Sequence, residues 1–173
     1  MTFTGPVPVA DPPTLEAIYR LRASVWRETG DIAQAAFGDG RWSDEYDPAA
    51  MHWVIRDGEQ LVAAARLSVH DRLADVPEAG EYAAAGLRLE GRIAAPARVV
   101  VATAARRHGL AAQLLDAQDA AARAAGCAYA VRQSSPAMSR LLARRGWRDV
   151  GPAGLDERFP GVQFEVMVLE LAP

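Results

Sequence analysis

The stretch of the sequence best suited to chemistry is a cationic turn between a β-branched run and an Ala/Leu-rich segment. Three valines at positions 99–101 are followed by Arg106 and Arg107, and then by Gly109 and Ala111. A helix that begins near this glycine presents unpaired N–H groups and partial positive charge, which suit an anion rather than two arginines. Glycine lets an anion approach the backbone closely, and guanidinium forks match phosphate oxygens. The turn predicts a phosphate or pyrophosphate site; the alternative is a strand-to-helix turn with two solvated arginines.

The elements before this turn follow from periodicity and turn chemistry. Apolar residues at helical spacing predict a helix that begins at Pro13 and stops at Gly30. A second short helix is expected over residues 31–37, and the Gly, Asp and Pro content of residues 38–48 predicts a loop. Two apolar runs that flank an Asp-Gly pair predict a β-hairpin over residues 52–69.

The second half of the chain alternates strands with helices. The valines predict a strand over residues 97–102, and the Ala/Leu-rich segment predicts a helix over residues 110–125. A strand over residues 127–132 and a helix over residues 136–145 follow. Alternating apolar residues over 162–171 predict a closing strand. The pattern favours a strand–helix–strand unit in the middle of the fold.

Together these elements predict an α/β fold of the α+β type, with a mixed, mostly antiparallel central sheet flanked by helices. Residues 1–12 are expected to form an irregular N-terminal arm, and residues 71–95 receive no assignment. Residues 13–173 are expected to form a single domain, since that length suits one ordinary core.

Composition excludes several classes of function. The formal net charge of -3 gives no bulk attraction to nucleic acid or to an anionic membrane. All 19 basic residues are arginine, because the sequence contains no lysine. This excludes a Walker-type phosphate loop, a Schiff-base enzyme and any catalytic lysine amine. The sequence also contains no asparagine and no G-x-S-x-G elbow of a serine hydrolase.

Cysteine and histidine usage adds further limits. The lone Cys127 cannot form an intramolecular disulfide, so we expect a buried, inert thiol and a cytoplasmic location. The histidines His52, His70 and His108 lack metal-ligand spacing, so no metal is expected. The N-terminal sequence does not resemble a signal peptide, and no apolar run is long enough to span a membrane.

The cationic turn resembles the acyl-CoA signature of the GNAT acyltransferase superfamily, Arg/Gln-x-x-Gly-x-Gly/Ala. Here the signature reads Arg106-Arg107-His108-Gly109-Leu110-Ala111. The preceding valines resemble the family's central strand, and Gly146-Trp147 resembles the ending of its later helix. The likeness covers roughly residues 14–171, and the six-residue signature is its diagnostic part.

The resemblance implies the GNAT fold, with acetyl-CoA or another acyl-CoA as co-substrate beside the central strand. It implies direct acyl transfer to a small-molecule or peptide amine, without a covalent acyl-enzyme. A homodimer is a further possibility. The residues that it implies for acyl-CoA binding are Val99, Val100, Val101, Arg106, Arg107, His108, Gly109, Leu110, Ala111 and Ser135.

The sequence departs from the family at the position of a proton donor. The family often carries a tyrosine in its later helix that protonates the leaving thiolate, and aligning Gly146-Trp147 places Leu142 there. Leucine cannot donate a proton. Tyr129 and Ser139 are candidate substitutes, and Glu90 is a candidate base, as are His52 and Glu165 with less support. Each of these residues also has a purely structural interpretation.

The acidic-aromatic segment at residues 42–47 supports one further hypothesis, selection of a cationic amine by carboxylates and an aromatic face. A solvated loop is the alternative. Trp26, Trp42, Glu45-Tyr46-Asp47 and Arg66-Leu67 also resemble the acyl-homoserine-lactone synthases, which share the GNAT fold. Three functions therefore remain open: an N-acetyltransferase, which the intact signature favours, a non-catalytic acyl-CoA-binding or sensory module, and a lactone synthase.

Overall fold

The computed structural model of the protein describes residues 1–33 and 35–171. The strands of this part of the chain are β1 (Phe3–Val9), β2 (Met51–Asp57), β3 (Gln60–His70), β4 (Ile93–Val101), β5 (Tyr129–Ser134), β6 (Arg148–Pro152) and β7 (Glu165–Glu170). The α-helices are α1 (Pro12–Thr29), α2 (Ala79–Ala84), α3 (Leu110–Ala124) and α4 (Pro136–Ala143). The seven strands form one sheet in the order β1-β2-β3-β4-β5-β7-β6.

The sheet confirms the predicted fold class. Every neighbouring pair of strands is antiparallel except β4 and β5, which run parallel and are joined by α3. Leu114 and Leu115 on α3 and Leu142 on α4 are fully buried in the largest core cluster, which packs against one face of the sheet. Each such side chain contributes about 1.5–3 kcal/mol through burial. α1 and α2 pack against smaller clusters that include Val54 and Val131.

Helix α1 and the hairpin follow the predicted local signals. The Asp11 side chain accepts a hydrogen bond from the Thr14 N–H at 2.9 Å, which caps the start of α1. Gly30 ends the helix in the left-handed conformation, at φ 73°. β2 and β3 turn at the Asp-Gly pair, as predicted.

Two sequence-based expectations differ from the structure. Residues 1–12 were expected to be irregular, but β1 lies within them and pairs antiparallel with β2. The prolines of β1 argue against a strand in the sequence, because proline cannot donate a hydrogen bond to a neighbouring strand. Proline is tolerated in edge strands such as this one. The short helix expected over 31–37 is not found: Gln34 lies outside the described residues, and residues 35–39 form turns.

The segment without a prediction, residues 71–95, contains a single 3₁₀ turn at 73–75, α2 and the beginning of β4. The short β6 was not predicted, since its Gly and Pro content is typical of loops. β6 is the second edge of the sheet.

Strands β4 and β5 separate soon after they meet, which forms a wedge in the sheet. They pair at Ile93–Tyr129 and Ala94–Ala130 and at no later residue. A β-bulge distorts β4 further on, because Arg98 and Val99 together face one residue of β3 and Arg98 lies at φ 57°. The Gln118 amide on α3 donates to the Arg66 carbonyl at 2.6 Å and to the Ala97 carbonyl at 3.1 Å, which holds the bulge from behind. The wedge leaves backbone groups of β4 without a partner on β5.

Candidate active site

A cavity of about 620 Å³ lies at the wide end of the wedge. We call it the α3 cavity, because the turn that begins α3 forms one wall. The other walls come from β4, the end of α1, the start of α4 and a loop before β7. The residues that line it include Trp26, Val99, Val100, Val101, Arg106, Arg107, Gly109, Leu110, Ala111, Ser135, Met138 and Leu141.

The N-terminus of α3 is open toward this cavity. Gly109 precedes the helix at φ 74° and Arg107 at φ 67°, and no side chain caps the helix. A Cβ built on Gly109 meets nothing within 4 Å, so the approach to the backbone is unobstructed. Arg106 and Arg107 are exposed, and the ion pairs of the described residues include neither of them. The geometry places unpaired backbone N–H donors beside two guanidinium groups that form no ion pair among the described residues.

Nine of the ten residues expected to bind the cofactor line the α3 cavity. His108 does not. Its Nδ1 lies 2.9 Å from the Arg106 carbonyl oxygen, and its ring contacts the Phe3 ring edge-on at a centroid distance of 5.1 Å. His108 therefore ties the turn to β1 and faces away from the cavity.

The three predicted catalytic candidates lie elsewhere. Glu90 is exposed in the turn before β4, and Tyr129 sits at the closed end of the wedge, paired with Ile93. Ser139 is buried on α4, and its Oγ has no hydrogen-bond partner among the described residues. Leu142 is fully buried in the core. None of these four residues lines a described cavity.

A second cavity, of about 140 Å³, adjoins the first at Trp26, Val99, Ser135 and Met138. We call it the arginine cavity. Its charged and aromatic lining residues are Trp26, Trp42, Arg66, Glu78, Tyr82, Arg98, Arg132, Asp156, Arg158, Phe159 and Phe164. A thioester held beside β4 in the first cavity would meet a molecule in the second at this junction.

Behind the arginine cavity lies a network of buried charges, the Arg–Asp cluster of Arg22, Asp44, Asp47, Arg66 and Arg98. Asp47 Oδ1 lies 2.8 Å from Arg22 Nη1 and 3.1 Å from Arg66 Nη1. Asp44 bridges Arg66 at 2.5 Å and Arg98 at 2.8 Å. The side chains of Arg22, Asp47 and Arg66 are each at most 1% exposed. The carboxylates are thus committed to arginines of the same chain.

Titration of the cluster follows from this pairing. Burial alone would raise the pKa of Asp44, but Arg66 and Arg98 outweigh it and lower that pKa to about 2. Burial and then repulsion from Arg66 lower the pKa of Arg98 to about 10, so it stays charged at neutral pH. Its guanidinium also stacks over the Trp42 ring, 4.0 Å from the centroid.

The same geometry revises two sequence hypotheses. Residues 42–47 are only partly solvated: Asp44 and Asp47 are paired with arginines and have no free charge with which to select a cationic amine, whereas Glu45 is exposed. His52 is also structural. Its Nε2 lies 2.9 Å from the Asp47 carbonyl oxygen and its Nδ1 3.4 Å from Arg22. Because arginine can only donate, Nδ1 accepts and Nε2 donates, and burial lowers the pKa of this imidazole. Glu165 lines neither described cavity.

Sequence reasoning missed Arg22, Arg98 and Arg132 altogether. The signal for Arg22 was present, because it lies one helical turn from Ile18 and Val25 on the apolar face of α1. A charged residue on such a face needs a buried partner. Arg98 carried no local signal, since its position depends on the bulge.

The sequence matches the profile of the acetyltransferase (GNAT) family over residues 15–147. The chain belongs to this family. A search of curated protein sequences gave no match. Among the described residues, no helix combines the length and apolarity needed to cross a membrane, and no three His, Cys, Asp or Glu residues cluster as metal ligands.

Solved structures share this GNAT fold. A predicted N-acetyltransferase from Lactobacillus plantarum superposes with a TM-score of 0.67 at 21% identity, over 98% of this chain and 97% of that one. FeeM, an N-acyl amino acid synthase from uncultured soil microbes, gives 0.71 at 15% identity, over 95% and 88%. The CoA-dependent acyl-homoserine lactone synthase BjaI, solved with SAM and isopentyl-CoA, gives 0.69 at 19% identity, over 92% and 76%. At these identities the likeness concerns the fold.

Proposed function

We propose that this GNAT acyltransferase moves an acyl group, with acetyl as the first candidate, from acyl-CoA directly to an amine. The observation that carries the proposal is the continuity of the site. One open wedge runs from the uncapped N-terminus of α3, along β4, to a second cavity that can hold an acceptor. Acyl transfer from a coenzyme thioester needs these three parts in this order.

We assign binding of the coenzyme to the α3 cavity. Backbone N–H groups of residues 107–111 would hold the pyrophosphate, with added charge from Arg106 and Arg107. The pantetheine arm would pair with the β4 backbone near Val99 and Val101, where β5 has moved away. Ser135, at the start of α4, lies beside this path.

The reaction is an addition to the thioester carbonyl. The neutral amine nitrogen attacks the carbonyl carbon, a C–N bond forms, and the C–S bond breaks. The amine loses one proton, and the departing thiolate of CoA gains one. Because Leu142 is buried and carries no hydroxyl, we assign both proton transfers to water at the junction of the two cavities. A β4 backbone N–H is our candidate donor to the developing oxyanion.

Two measurements test the proposal. Calorimetry should show that CoA binds, and thermal unfolding should shift upward with CoA concentration, since a ligand of the folded state stabilises it. A thiol-release assay with acetyl-CoA and a panel of amines should then show CoA release that depends on the amine. If CoA neither binds nor raises Tm, the proposal is wrong.

A non-catalytic acyl-CoA-binding module is the first alternative, and the loss of the tyrosine at Leu142 favours it. It predicts CoA binding without release of CoA for any amine. A lactone synthase is the second alternative, favoured by the fold shared with BjaI. Replacing the amine panel with S-adenosylmethionine decides this case. The arginine cavity, at about 140 Å³, is well below the roughly 300 Å³ of pockets for drug-sized ligands, and so favours a smaller acceptor.

A further inference from the structure

Arg132, in the middle of β5, is a buried cation that has no ion-pair partner among the described residues. The residue is 6% exposed, and its Nε and Nη1 atoms make no hydrogen bond with any described residue. No described carboxylate forms an ion pair with it. Asp119 on α3 attracts it from a distance, but Asp119, together with Asp116, is paired with Arg145. The Arg132 side chain lines the arginine cavity.

The charges around this cavity point to an anion that comes from outside the chain. The cavity and the Arg–Asp cluster behind it contain five guanidinium groups and four carboxylates. The carboxylates of Asp44 and Asp47 serve the cluster, and those of Asp156 and Glu78 lie against Arg158 at 2.5 and 3.5 Å. Within this set one positive charge is in excess, and Arg132 is the arginine that forms no ion pair among the described residues. Burial of an unpaired charge is strongly unfavourable, so its retention calls for a ligand.

We propose that Arg132 binds the carboxylate of the acceptor, which is therefore an amine that also carries a carboxylate, as an amino acid does. This inference rests on the proposed acyl transfer. A planar guanidinium presents the paired N–H donors that a carboxylate accepts. A carboxylate on the acyl group is the other source of such an anion. Arg132 lines the arginine cavity and not the α3 cavity, which favours the acceptor.

The test compares amino acids with the same molecules lacking the carboxylate. CoA release from acetyl-CoA is measured with phenylalanine against phenethylamine, leucine against 3-methylbutylamine, and methionine against 3-(methylthio)propylamine. The unmodified protein should prefer one or more of the amino acids by at least about 30-fold in kcat/KM, because a buried charge pair carries that much discrimination. Arg132→Met should remove the preference, and Arg132→Lys should keep part of it, since the charge remains but the fork is lost.

Two controls separate a binding role from a structural one. Arg148→Gln removes an exposed arginine on β6 and should leave the preference between acceptors unchanged. Arg132→Met should leave CoA affinity unchanged in calorimetry. It should also raise Tm of the ligand-free protein by about 2 °C or more, because the unpaired charge is gone. A large fall in Tm would identify Arg132 as a structural residue and count against the inference.

The remaining outcomes are equally decisive. If amines without a carboxylate react as well as the amino acids, or if Arg132→Met slows both classes equally, the inference is wrong and acyl transfer stands. If release needs succinyl-CoA instead of acetyl-CoA, and Arg132→Met removes that need, Arg132 serves the acyl group. If CoA itself does not bind, the proposed function fails, and the inference fails with it.

Discussion

The arginines at the two cavities beside the wedge differ in their exposure and in their pairing with carboxylates. At the α3 cavity, Arg106 and Arg107 stand exposed beside uncapped backbone donors and form no ion pair with a described carboxylate. Beside the arginine cavity, the largely buried Arg22, Arg66 and Arg98 are held by two aspartates. Exposed charges keep their water until a ligand arrives, whereas buried charges need their partners for the chain to fold.

Substitutions at the two places should therefore have different effects. Changes at the α3 cavity should alter coenzyme affinity and leave the fold intact. Changes in the Arg–Asp cluster should alter stability first. Arg132 combines features of both groups. It is buried, as the arginines of the Arg–Asp cluster are, and it forms no ion pair among the described residues, as is also true of Arg106 and Arg107.

The largest expected effect is on stability, from Asp47→Ala. This change leaves Arg22 and Arg66 buried beside a missing carboxylate and should lower the free energy of unfolding by about 3–5 kcal/mol. Urea titration followed by circular dichroism measures the loss. Glu45→Ala is the matched control, since it removes a nearby carboxylate that forms no ion pair among the described residues. Equal stability of Asp47→Ala and the parent protein would show that the cluster contributes nothing to folding.

Next in size is the effect of Gly109→Glu on coenzyme affinity. The new carboxylate would lie against the proposed pyrophosphate, and like charges cost several kcal/mol, so affinity for CoA should fall by about 100-fold or more. Gly109→Ala is the control, because it has the same left-handed strain at φ 74° without the charge, and its Cβ enters open space. Calorimetry with CoA compares the two. Equal affinities would place the pyrophosphate elsewhere.

Acid should weaken the cluster through Asp44. Its pKa in the folded protein, about 2, lies below the ordinary value of 3.8. The resulting stability is therefore fully present above about pH 4 and is lost as the pH falls toward 2, with a total of about 2 kcal/mol. Asp44→Asn should flatten this part of the stability–pH curve. Parallel curves for the two proteins between pH 4 and pH 2 would contradict the assignment.

The smallest expected effect is that of Arg106→Ala. An exposed guanidinium contributes less than about 1 kcal/mol to an ion pair, so CoA affinity should fall by less than about fivefold. That difference should shrink further between 0.05 and 0.5 M salt, because exposed charges are screened. A loss that persists at high salt would indicate a desolvated contact instead.

Local sequence signals predicted most of the helices and strands. The features that were not predicted are the edge strands of the sheet and the contacts between residues far apart in the sequence. The Gly30 stop and the Asp-Gly turn act within a few residues, so the sequence displays them. The two unpredicted strands, β1 and β6, are the edges of the sheet, where proline and short length are tolerated.

The candidate site also has one part that the sequence predicts and one part that it does not. The cationic turn is contiguous, and five of its six residues line one cavity. The Arg–Asp cluster joins α1, a loop, β3 and β4, so that Arg22 and Asp47 meet across 25 positions. No pattern of spacing reveals such a pairing in a single sequence. The predicted catalytic residues Glu90, Tyr129 and Ser139 line neither described cavity, because a single sequence does not show the direction in which each side chain points.

The amide of Gln118 has one further consequence. It fastens the bulge of β4 to α3, eight residues from the start of the helix at Leu110, which is about 12 Å along the axis. In the proposed binding mode, helix α3 therefore sets the distance between the diphosphate of the coenzyme and the reacting carbonyl. A truncated thioester such as S-acetyl-N-acetylcysteamine lacks the diphosphate and should be a poor donor, however reactive its acetyl group.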